Sequence, residues 1–220
     1  KNVQIVISLL KQYGIKKVVA SPGTTNMTFV ASIQQDSFFE IYSSVDERSA
    51  AYIACGLSSE SGEPVVLSCT GATASRNYYP GLTEAYYRKL PILALTATQT
   101  ISKVGQHIAQ VIDRTSLPND VVNYSINLPL VKDEDDLWDC EVKANKAFSE
   151  LYRRGGGPVH INLATGYSSN YDIKELPECR IIRRISQSGK FPELPDGKIA
   201  IFIGSHKKMS EGLSKVIDKF

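Results

Sequence analysis

No run in the 220 residues approaches the ~20 consecutive apolar positions that a membrane span needs, and no charged stretch leading into an apolar one opens the chain. A cytoplasmic protein without a membrane partner is the expectation. An excess of one charge is also missing. Lys+Arg (25) against Asp+Glu (23) leaves a net +2, which supplies no field to draw nucleic acid. Cys55, Cys69, Cys140 and Cys179 form no CxxC pair and stand at no ligand spacing from His107, His160 or His206. No metal site is therefore expected on this chain, and the thiols suit a reduced core. No GxGxxG or GxxxxGK[ST] loop follows any apolar run, which removes the common nucleotide-binding folds.

What is present is an alternation of apolar runs and helical segments. A hydrophobic fraction of 42% supports a core, while 220 residues are long for one domain and short for two. Residues 2–13 carry apolar side chains at helical spacing before Gly14, and a short strand at 16–20 ends in the hydroxyl-rich turn Ser21-Pro22-Gly23-Thr24-Thr25-Asn26. Further strands are predicted at 38–43, 64–69, 91–97, 125–129 and 158–163. Helices are predicted at 27–34, 46–59, from the 70–77 turn to 88, and at 133–154, with a short one at 107–113. Continuous apolar strands joined by helices imply an α/β fold: a six-stranded parallel sheet with helices on both faces. Residues 1–166 form that domain on this reading and 167–196, rich in Ser, Pro and charge, a linker. The fresh apolar run at 198–204 and the helical segment after it then begin a second, truncated α/β domain within 197–220.

Glu47 stands where the second strand gives way to its helix. Ligands collect at strand carboxyl ends in open parallel sheets, so a carboxylate there suits a ligand that offers a proton or a basic nitrogen. The competing reading is structural: Ser44-x-x-Glu47 has the spacing of a capping box.

The strings Asp46-Glu47-Arg48-Ser49-Ala50, Gly56-Leu57, Thr70-Gly71-Ala72-Thr73-Ala74, Asn77-Tyr78-Tyr79-Pro80 and Glu84-Ala85 recur in order. Together they resemble the N-terminal pyrimidine-binding domain of thiamine-diphosphate-dependent decarboxylases and carboligases. The likeness covers about residues 1–165, including GPVHINL at 157–163. It is nearest to the menaquinone-pathway branch that joins 2-oxoglutarate to isochorismate, with acetolactate synthases and oxo-acid decarboxylases further away.

The resemblance implies a 2-oxo acid substrate, thiamine diphosphate and Mg2+. It makes Glu47 the acid that hydrogen-bonds the aminopyrimidine and so promotes loss of the thiazolium C2 proton. It places Pro22, Gly23, Thr70 and Asn77 at the cofactor, and Thr24, Thr25, Asn26 and Gln110 toward the substrate. The implied assembly is a homodimer or homotetramer with the cofactor at the subunit interface. The diphosphate and Mg2+ would be held by a domain absent from this chain, which has no Gly-Asp-Gly.

Two departures stand out. Thr24-Thr25-Asn26 replaces the Ser-Arg-Ser of the menaquinone branch, and a neutral turn cannot pair bidentately with a carboxylate, so a different substrate is expected. Thr70-Gly71-Ala72-Thr73 also carries its glycine one place early relative to Thr-Ser-Gly-Thr. The alternative to an enzyme is a non-catalytic binding or regulatory module that keeps the fold.

Overall fold

The computed structural model describes residues 1–166, 175–185, 189–194, 196–205 and 208–219. Its strands are β1 (Lys17–Ala20), β2 (Glu40–Ser43), β3 (Val65–Thr70), β4 (Ile92–Thr98), β5 (Tyr124–Leu128) and β6 (Val159–Ala164). All pairings are parallel, in the order β2-β1-β3-β4-β6-β5. The helices are α1 (Asn2–Gln12), α2 (Met27–Gln34), α3 (Glu47–Ser61), α4 (Tyr79–Arg88), α5 (Glu134–Glu150) and α6 (Glu211–Ile217). The six-stranded parallel α/β sheet expected from the sequence is present, with strand bounds within two residues of the predicted ones.

Side-chain alternation divides the core into two layers. Val66, Leu93, Leu95, Val159 and Ile161 share a cluster with Val6 of α1, Phe29 of α2 and Phe148 of α5. Val65, Leu67, Ile92 and Ala94 share the other with Ala50 and Ala54 of α3 and Leu82 of α4. Central strands buried on both faces need apolar residues at nearly every position, which is why β3 and β4 read as continuous runs. On the second face α3 and α4 approach closely, because Gly81 abuts Ala51. A Cβ at Gly81 would lie 2.5 Å from that of Ala51 and 3.1 Å from its carbonyl carbon.

Three expectations are corrected. No helix forms at 107–113, because Gly105, His107 and Gln110 take φ of 78°, 54° and 61°, outside the right-handed helical region. The fifth helix stops at Glu150 rather than 154, and a 3-10 turn, Arg153–Gly155, follows with Arg154 at φ 53°. The run 198–204 forms no ladder, since an extended segment is a strand only beside another to pair with.

The contacts divide the chain into two compact units, Lys1–Arg184 and Ile185–Phe220. The first reaches past 166 because 176–182 is tied down: Cys179 is buried with Leu176 against the core, Ser8 Oγ donates to the Pro177 carbonyl (2.8 Å), and Asn145 bonds Arg180 and Ile182 through its amide. In the second unit α6 is capped by Ser210.

The α3–α4 contact carries a test. Gly81→Val should cost about 1–3 kcal/mol, the usual scale of overpacking, seen as a lower urea midpoint with an unchanged slope.

Candidate active site

The chain passes from β1 to β2 on one side, then returns to β3 on the other side of β1. Right-handed crossovers therefore put α2 and α3 on opposite faces, and the loops after β1 and β3 part to leave a crevice at the strands' carboxyl ends. The sequence-predicted residues gather at this edge: Pro22 to Asn26 follow β1, Glu47 follows β2, Thr70 closes β3, and Asn77 lies in the 3-10 turn Thr73–Tyr78.

The turn after β1 is held from inside. Asn26 Nδ2 donates to the Ser21 carbonyl at 3.1 Å and to Ser68 Oγ at 3.3 Å, and the Thr25 hydroxyl donates to the Ala97 carbonyl. Thr25 and Asn26 are thus buried with their side chains engaged by the protein, while Pro22 and Thr24 are exposed. Gly23 sits against Thr70, whose methyl carbon would lie 2.1 Å from any Cβ at 23, so these two positions are in direct contact. Gly71 is similarly enclosed; its N–H donates to the Ala97 carbonyl at 2.6 Å, and a Cβ there would meet that oxygen at 2.9 Å. Asn77 and Gln110 are exposed, and Gln110 takes part through its backbone carbonyl, which accepts from Thr98 Oγ1 at 3.2 Å.

Glu47 is not the cap of its helix. Asp46 is the N-cap, its carboxylate accepting from the Ser49 N–H at 2.7 Å, and Ser44 Oγ donates to the Asp46 carbonyl at 3.0 Å. That Ser49 contact holds the Asp46 carboxyl below its ordinary pKa. The capping-box spacing of Ser44 and Glu47 is therefore not used. Half-buried at the first position of α3, the Glu47 carboxylate accepts no hydrogen bond among the described residues.

Around it lie groups that sequence reasoning gave no role. Among the described residues the hydroxyls of Ser21 and Tyr78 are buried without a partner at good hydrogen-bond geometry, although Ser21 and Cys69 both lie near enough to Tyr78 to shift the titration of its phenol. Burial above all, then the Cys69 sulfur and the Glu47 charge, push the Tyr78 phenol well above its ordinary pKa, and burial pushes the Cys69 thiol up to about 12. Arg114, 3% exposed, donates through Nη1 to Ser75 Oγ, and its Nε has no acceptor. Burial lowers its pKa. Tyr78 stood inside a quoted string; Arg114 could have been flagged only as a single cation between Ile112 and Leu117.

A polar chain runs under the same loop. Thr96 Oγ1 donates to Asn162 Oδ1 at 2.8 Å, so its one proton is committed and it must accept from His160 Nε2 at 2.8 Å. His160 Nδ1 is then free to accept from Ser125 Oγ at 2.7 Å, and Asn162 Nδ2 donates to Asn127 Oδ1 at 2.8 Å. His160 is neutral in this arrangement. Burial, with the Arg114 charge acting the same way, pushes its pKa well below the ordinary value.

Comparison with known proteins identifies the family and the fold. The family described as "Thiamine pyrophosphate enzyme, N-terminal TPP binding domain" matches residues 1–117. The 2-succinyl-5-enolpyruvyl-6-hydroxy-3-cyclohexene-1-carboxylate synthase of Bacteroides thetaiotaomicron is 36% identical over 185 residues, 84% of this chain and 33% of that protein. The synthase of the same name from Flavobacterium johnsoniae is 32% identical over 213 residues, 94% of this chain and 37% of the relative. The chain thus spans about a third of the length of the curated relatives it matches. Among solved structures, the benzoylformate decarboxylase of Polynucleobacter necessarius superposes with a TM-score of 0.66 at 24% identity, covering 84% of this chain and 33% of that one, a likeness of fold.

The neutral His160 makes stability depend on pH with a definite sign. Below about pH 6.5 the unfolded chain takes up a proton at this position that the folded chain refuses, so stability falls as pH falls through that value. Urea unfolding between pH 7 and 5 should show a loss of about 1 kcal/mol per pH unit from this group, and His160→Gln should flatten the slope.

Proposed function

Because the chain belongs to the thiamine pyrophosphate enzymes and carries their N-terminal binding domain, we propose that Glu47 is the acid that engages the cofactor's aminopyrimidine. The observation behind this is a half-buried carboxylate with no hydrogen-bond partner among the described residues, standing in the crevice where β1 and β3 diverge. The residues present fit the ring: Glu47 offers a carboxylate to a ring nitrogen, and the unpartnered hydroxyls of Ser21 and Tyr78 add donors and acceptors. Gly23 and Thr70 close the floor beside them, with Pro22 and Asn77 at the rim.

When bound, thiamine diphosphate supplies the electron sink for decarboxylation of a 2-oxo acid. Glu47 holds a proton against the ring nitrogen, and partial burial strengthens that bond over one made in water. The activity proposed for the full-length protein is decarboxylation of a 2-oxo acid, with or without transfer of the product carbanion to an acceptor; this chain alone is inactive on this reading. The diphosphate and Mg2+ belong to a domain outside this chain, which carries no Gly-Asp-Gly and, among its described residues, no cluster of metal-ligating side chains. Residues 197–220 open a further domain on this reading. Four buried free thiols suit a reducing, cytoplasmic setting.

A homodimer is proposed on the apolar surface next to Glu47. Val45 is 85% exposed, and Tyr42, Tyr52 and Ile53 are exposed around it on β2 and α3. Light scattering of the full-length holoenzyme at micromolar concentration should give at least twice the mass of one full-length subunit, and Val45→Asp should shift it toward the monomer; a monomeric wild type refutes the assembly.

For Glu47 the decisive measurement is exchange of the C2 proton on bound cofactor. Glu47→Gln should slow it by roughly 10²-fold or more, the scale of a lost general acid–base group, and lower turnover with it. Folding should hardly change, since the carboxylate bonds nothing among the described residues, whereas Asp46→Ala should lower the melting temperature by about 2–4 °C through loss of the cap. Equal exchange rates in wild type and Glu47→Gln would remove Glu47 from the mechanism and favour the non-catalytic module.

A further inference from the structure

Strand order reverses a second time on the far side of the sheet. The chain leaves β4, passes the place of β6 to build β5, then turns back through α5 to fill the gap. A cavity of about 460 Å3 opens at the carboxyl ends of β4, β5 and β6, in the position where diverging loops leave room for a ligand. Three cations line it (Arg114, Lys132, Lys143) and two carboxylates (Asp136, Asp139), a balance of 3 − 2 = +1. Both acids are engaged: Asp139 pairs with Lys143, and Asp136 accepts from the Lys132 backbone N–H at 3.1 Å. Neither Arg114 nor the Lys132 ammonium has a carboxylate within 4 Å among the described residues.

A guanidinium buried this deeply without a counter-ion is costly unless a ligand supplies one. Its unused edge is specific. Nη1 is taken by Ser75, Nε has no acceptor, and Nη2 makes no hydrogen bond among the described residues. The Nε–Nη2 edge is the one that pairs side-on with a carboxylate. Arg114 also stands within electrostatic reach of Cys69 and Tyr78, both of which feel the charge of Glu47. We propose that this cavity binds the carboxylate of the 2-oxo acid, held side-on by Arg114 and drawn in by Lys132, in place of the arginine that the neutral turn Thr24-Thr25-Asn26 lacks. The ligand's role as substrate rests on the proposed function; its binding does not.

The test uses the 220-residue chain without cofactor, titrated by calorimetry at pH 7 with 2-oxoglutarate and pyruvate, and with pentan-2-one as the uncharged control. Saturable binding of at least one oxo acid, weakened by added salt and absent for the ketone, is expected. Arg114→Lys keeps the charge but loses the fork, and should weaken binding about tenfold or more; Lys132→Ala, at an exposed position that folding does not need, should weaken it several-fold. No saturable binding by wild type, or unchanged affinity in both variants, overturns the proposal. The measurement contains no thiamine diphosphate, so its failure leaves the C2 exchange test of Glu47 untouched, and failure of that test leaves this binding site standing.

Discussion

A helix that links two parallel strands must cross between them in a right-handed sense, so the direction of travel across the sheet decides which face each helix covers. From β1 the chain steps outward to β2, then comes back past β1 to β3. That single change of direction sends α2 and α3 to opposite faces and leaves nothing to fill the space above β1 and β3. The rest follows from it. Ser21 to Asn26 bend away on one side, Gly71 and the Thr73–Tyr78 turn on the other, and α3 begins at the same edge with its acid between them.

At that edge two adjacent carboxylates have different jobs. Asp46 meets the unpaired Ser49 N–H at the start of α3, as an N-cap should. Glu47, one residue on, is relieved of that duty and points a charge at groups that also lack partners. Ser21 and Tyr78 hydroxyls buried without hydrogen bonds are expensive in a finished core. Tyr78 lies near enough to Glu47 to feel its charge, which is why these groups enter the proposed site.

Much of this was legible in the residues. β3 and β4 are buried at every position, and their mainly apolar runs, interrupted only by Ser and Thr, pointed to strand, burial and parallel pairing together. The position of Glu47 between a strand and a helix was legible as well. The capping-box alternative fails despite the right spacing of Ser44 and Glu47, because α3 starts after Asp46, which caps the Ser49 N–H, and the Ser44 N–H goes to the Ala20 carbonyl. The connection 99–123 was opaque for a different reason. It has no period, its path is set by three residues at positive φ, and it covers sheet residues His160, Asn162 and Thr96 that read as polar intrusions in strands. Arg114 became visible only when that loop was laid over them.

β2 has a consequence of its own. It is one of two edge strands and the shorter, four residues long with one neighbour and no fully buried side chain, while β3 and β4 are enclosed on both sides and both faces. Resistance to local opening follows buried contact, so amide exchange will be slowest in β3 and β4 and fastest in β2. The acid of the crevice stands at the first position of α3, four residues past the end of this weakly anchored strand. Whatever seats itself against Glu47 and the apolar residues around Val45 therefore does two things at once: it makes its own contacts, and it damps the fluctuation of the scaffold that presents the acid.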